Sequence, residues 1–80
     1  MKNFHIETIQ IGEREPYLKV YFEDVVDKNL ISTWLGLQGF LKNANVNEDD
    51  NGKVSAIVYL YPDTDVRDVK DKLSAIIDQI

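Results

Sequence analysis

Lys53-Val54-Ser55-Ala56-Ile57-Val58-Tyr59-Leu60-Tyr61 is the most apolar run of the chain, and it alternates. Val54, Ala56, Val58 and Leu60 share one parity, while Ser55, Ile57, Tyr59 and Tyr61 share the other. Side chains of an extended backbone point to opposite sides of a sheet in turn, so this pattern predicts a strand with apolar groups on both faces. Such a strand belongs in the middle of a sheet. Just before it, Asp50-Asn51-Gly52 is a tight-turn signal, because Asn and Gly tolerate positive φ. The turn joins it to a weaker strand, Phe40 to Glu48, with Ala44 and Val46 on one side and Asn43, Asn45 and Asn47 on the other. Asparagine is a poor strand former, so this partner is expected at a sheet edge.

Beyond the central strand, Pro62 stops the extended run and Asp63 or Asp65 can cap a helix. Val66, Val69, Leu73, Ile76, Ile77 and Ile80 then form an amphipathic stripe. Its polar side pairs Arg67 with Asp71 and Asp68 with Lys72 at i,i+4 spacing.

The same alternation appears earlier. From Tyr17 to Asp24, Leu18, Val20 and Phe22 lie on one face and Tyr17, Lys19, Tyr21 and Glu23 on the other. Before it, Phe4 and Ile6 and then Ile9 and Ile11 fall on opposite parities, which predicts a strand over residues 3–11 with a bulge near Thr8. Gly12 ends that strand, and Glu13-Arg14-Glu15-Pro16 suits a hairpin loop. Asp27 is placed to cap a short helix whose apolar positions are Leu30, Ile31, Trp34, Leu35 and Leu37, ending by Gly39. The element order is ββαββα. Two amphipathic helices need one apolar sheet face, which predicts an α+β, ferredoxin-like two-layer sandwich: a four-stranded antiparallel sheet with both helices on one side.

Eighty residues, with no linker, repeat or low-complexity tract, predict a single domain over 1–80. An apolar content of 44% is that of a globular chain rather than a disordered one. The formal charge of −5 and the pI near 4.6 disfavour a phosphate backbone as main partner, because counterion release needs clustered cations. Without cysteine, disulfides, thiolate metal sites and Cys nucleophiles are excluded. No apolar run approaches the roughly 20 residues of a membrane span, and Met1-Lys2-Asn3-Phe4-His5 has no signal-peptide core, so no membrane contact and a cytoplasmic setting are expected.

Residues 17–80 resemble a heavy-metal-associated domain of the ferredoxin-like fold. The resemblance is carried by the strand Leu18 to Glu23, the helix Leu30 to Leu37, Gly39-Phe40 entering a strand, the Asn51-Gly52 turn, the strand Val54 to Tyr61 and the Pro-Asp helix start. That family runs βαββαβ, so the resemblance implies a permuted order in which Phe4 to Ile11 fills the edge position of the family's last strand. The family holds soft metals through two cysteines after its first strand. The corresponding loop here, Glu23-Asp24-Val25-Val26-Asp27-Lys28, has neither, so the metal function does not carry over.

Other motifs have simpler readings. Asn47, Asp49, Asn51 and Gly52 match the first half of a calcium loop, but its twelfth position, which needs a bidentate glutamate, is Val58. Gly36-Leu37-Gln38-Gly39 has GxxG spacing, yet it ends a helix and enters a strand, so helix termination accounts for it. His5 is the only histidine, and Glu23, Asp24 and Asp27 suit capping of the following helix better than acid–base work. Trp34 is expected in the core. No nucleophile, base and oxyanion donor come together, so no enzyme, metal or cofactor is expected.

The aromatic residues are more informative. If Leu18 and Val58 face the helices, Tyr17, Tyr21, Ile57, Tyr59 and Tyr61 share the uncovered face, where polar residues are the rule. A tyrosine-rich open face is expected to bind protein, either a partner or a second copy in a homodimer. Two alternatives are a small-ligand-sensing regulatory domain and, less favoured, a single-stranded nucleic-acid binder; Lys19 and Lys53 are the only cations placed on those strands.

Overall fold

The computed structural model describes residues 3–79. Its elements follow the expected order: β1 (Phe4–Ile9), β2 (Tyr17–Phe22), α1 (Lys28–Gly36), β3 (Leu41–Glu48), β4 (Val54–Leu60) and α2 (Val66–Asp78). All four strands form one antiparallel sheet in the order β1-β2-β4-β3. β4 is therefore central, β3 and β1 are edges, and β2 and β3 run parallel on either side of β4, joined through α1. The first strand pairs within its own chain.

Alternation sets the layers. Leu18, Val20 and Phe22 of β2 and Val54, Ala56, Val58 and Leu60 of β4 are buried in one cluster with Ile31 and Leu35 of α1 and Val69, Leu73 and Ile77 of α2. A single cluster shared by both helices and one parity of the strands puts both helices on the same side. The other side of the sheet has no helical cover. No polar or charged side chain is buried in the described residues, so the core is held by apolar contact alone.

Capping follows the sequence closely. Asp27 accepts from the backbone N–H groups of Asn29 at 2.9 Å and Leu30 at 3.3 Å, and Asp65, rather than Asp63, accepts from Arg67 N–H at 3.0 Å. In the β3–β4 turn one Asp49 carboxylate oxygen accepts from Asn51 and Lys53 N–H, both at 2.9 Å, and Gly52 adopts φ +80°.

Five expectations are corrected. β1 pairs with β2 without a register shift from Phe4↔Phe22 to Ile9↔Tyr17, so there is no bulge at Thr8 and Ile9 falls on the open face. The register irregularity lies instead between Leu41 and Asn43, where the extra residue Lys42 lets Leu41 and Ala44 both turn toward the helices. In α1 only Ile31 and Leu35 are buried; Leu30 and Leu37 are exposed and Trp34 is half-buried, because a helix on a two-layer sandwich buries only one side. The helix stops at Gly36, with Leu37 as its C-cap, before Gly39 is reached. On α2, Lys72 meets Asp68 at 3.2 Å, whereas Arg67 and Asp71 form no ion pair among the described residues. Ile80, expected to close the α2 stripe, lies outside the described residues. No helix among these residues is long and apolar enough to cross a membrane.

Candidate functional site: the open sheet face

The strand registers sort the uncovered face into three rows. The first is His5-Tyr21-Ser55-Asn47, the second Glu7-Lys19-Ile57-Asn45 and the third Ile9-Tyr17-Tyr59-Asn43, each read from β1 across β2 and β4 to β3. Tyr17, Tyr21, Ile57 and Tyr59 thus meet on one surface. Tyr61 has the same parity but lies past the end of β4, where it borders a hollow with Glu15, Pro16 and Val66.

The aromatic rings are grouped, not scattered. Tyr17 and Tyr59 are direct cross-strand partners with ring centroids 5.8 Å apart and planes tilted by 40°. Tyr21 stacks on His5 at 6.1 Å, and the Lys19 ammonium sits 4.9 Å from the Tyr21 centroid. Tyr17, Tyr21 and Ile57 are half-buried by these neighbours, while Tyr59 and Tyr61 remain exposed.

Charge is nearly absent from this face. Its in-strand positions hold one carboxylate, Glu7, and one ammonium, Lys19, directly paired across β1 and β2. The His5 imidazole places its Nε2 3.4 Å from the Glu7 carboxylate. At one end of the face Glu23, Glu48 and Asp49 line a hollow with Lys53, so that end is acidic, while at the other end Arg14 and Glu15 balance. The in-strand positions of the face therefore carry none of the excess acid of a chain of formal charge −5.

The other acidic candidates are occupied by structural work. Asp24 accepts from Asn3 N–H at 2.9 Å, which ties down the start of β1, and Asp27 caps α1. Asp49 closes the turn, and among the described residues no His, Asp and Glu group is arranged to hold a metal ion. Gly36 ends α1, and Gln38 donates to the Trp34 carbonyl at 2.9 Å, so the GxxG segment is a helix terminus.

Sequence reasoning placed the tyrosines but missed Ile9, His5, Glu7 and the Asn43-Asn45-Asn47 ladder as parts of the same surface. The ladder was legible from its alternation, whereas the β1 residues required a register without a bulge. Compared with known proteins, the chain matches no family model, no curated protein and no solved structure.

Proposed function

We propose that this chain is a cytoplasmic, non-catalytic binding and assembly module that makes its protein contacts, as a homo-oligomer, through the open sheet face. The observation that carries the reading is the Tyr17–Tyr59 pair, flanked by Ile57 and Tyr21, on a sheet face left without a helix layer. An antiparallel face meant for water is normally polar, whereas interface cores are enriched in Tyr and depleted of charge. Lys19, the lone ammonium at the in-strand positions, is too little to attract a phosphate backbone, so protein is favoured over nucleic acid. The cysteine-free composition suits a reducing compartment.

Size-exclusion chromatography with light scattering tests the proposal. The wild-type chain is expected to run as a dimer, and the double variant Tyr21→Ser/Tyr59→Ser as a monomer with unchanged far-ultraviolet circular dichroism. A monomeric wild type, or a variant of unchanged mass, overturns it.

A further inference from the structure

We infer that the partner is a second copy packed face to face about a two-fold axis parallel to the strands, so that β2 of each copy lies over β4 of the other. This rests on the open face being the contact surface. A two-fold axis along the strands lays each row on its own reverse. Tyr21 then meets the small Ser55 of the partner, the Lys19 stem meets the partner's Ile57, and Tyr17 meets the partner's Tyr59. At the edges, the Glu7 carboxylate meets the amide of the partner's Asn45, which can donate to it. Tyr21 thus meets a small side chain, Glu7 a hydrogen-bonding amide and Tyr17 another ring, while Ile9 lies over the partner's Asn43.

The other face-to-face two-fold axis runs across the strands. It exchanges the first and third rows and lays the middle row on itself in the same order. Glu7 would then oppose Glu7 and Lys19 oppose Lys19 in a water-excluded layer, and like-charge contacts of that kind select against an arrangement. The charge pattern of a single row therefore chooses the axis.

Two substitutions of opposite sign at one position test this. With the axis along the strands, Ile57→Glu faces Lys19 of the other copy and should leave the dimer dissociation constant within threefold of wild type. Ile57→Lys faces that same ammonium and should weaken the dimer at least tenfold. With the axis across the strands, position 57 opposes itself, so both variants should weaken it alike; that result overturns the axis while leaving the face as the interface. If neither variant weakens a dimeric wild type, or if the wild type is a monomer, both the axis and the proposed function fall.

A second measurement does not depend on substituting a central strand. Because the chain lacks cysteine, Asn45→Cys gives a unique site for a nitroxide on edge strand β3, in the same row as Glu7 and with both charges of that row kept. Strand spacings of about 4.8 Å and a sheet separation of about 10 Å put the two labelled backbones about 17 Å apart if β3 lies over β1 of the partner, and about 10 Å apart if β3 lies over β3. Dipolar broadening that gives the longer separation supports the axis, and the shorter one overturns it.

Discussion

Tyr17 and Tyr59 occupy directly paired positions on β2 and β4, their rings 5.8 Å apart, on the face opposite Leu18 and Val58. The two faces of one strand pair therefore do different things. Leu18 and Val58 are fully buried against the helices, while the two rings contact each other on the uncovered side, Tyr17 half-buried and Tyr59 exposed. Cross-strand aromatic pairs contribute about 0.5–1.5 kcal/mol beyond burial, so the ring contact stabilises the sheet even in a monomer.

Tyr59→Ser is accordingly expected to lower stability by about 1 kcal/mol while leaving the fold intact, since Tyr59 is exposed and no cavity forms. Urea titration followed by circular dichroism measures this. A loss above about 3 kcal/mol that does not vary with protein concentration would be the cost of a core position and would place the ring in the core instead.

Leu73→Ala is expected to be far more damaging. Leu73 is fully buried between α2 and the sheet, and removing a buried leucine costs about 2–5 kcal/mol in transfer and cavity terms. Total stability at about 0.05–0.15 kcal/mol per residue leaves a domain of this length only about 4–12 kcal/mol. The variant should therefore melt far earlier than wild type, with a thermal midpoint tens of degrees lower or no cooperative transition at all.

Much of the fold was legible because β2 and β4 alternate without interruption, which fixes the core face by parity alone. The faults arose where one inserted residue changes parity. Ile9 and Ile11 invited a bulge at Thr8 because apolar residues were assumed to seek the core; in fact Ile9 is at home beside Tyr17 on an already apolar open face. Leu41 and Ala44 gave no sign of a bulge, since Lys42 is as soluble on either side. The excess of apolar residues in α1 hid which of them face inward; Leu30, Trp34 and Leu37 lie along one side of the helix and Ile31 and Leu35 along another. Most of the candidate surface followed from strand parity, while its charge balance required the register.

Asp49→Ala is expected to cost about 1–2 kcal/mol, because one carboxylate oxygen satisfies the amides of both Asn51 and Lys53 at 2.9 Å in the β3–β4 turn. Asp50→Ala removes a neighbouring exposed carboxylate with no such bond and should change stability by less than about 0.5 kcal/mol. Paired urea titrations distinguish the two. Equal effects would mean that net charge at the turn matters rather than this hydrogen-bonded geometry.

Asp63 and Asp65 were equivalent as helix caps by sequence, but the backbone separates them. Asp65 is extended and caps α2, whereas Asp63 sits at φ 63°, the one non-glycine residue with positive φ in the described residues. Asp65→Ala should therefore lose about 1 kcal/mol with the cap. Asp63→Gly relieves left-handed strain but adds freedom to the unfolded chain, and these terms of about 0.4–1 kcal/mol oppose each other, so stability should stay within about 0.5 kcal/mol of wild type. Asp63→Val keeps the strain and adds a β-branched side chain that cannot hydrogen-bond to the turn, so a loss of about 1–2 kcal/mol is expected. Thermal melts of the three variants check the order. If Asp63→Val were as stable as Asp63→Gly, the left-handed turn after Pro62 would not be the conformation that leads into α2.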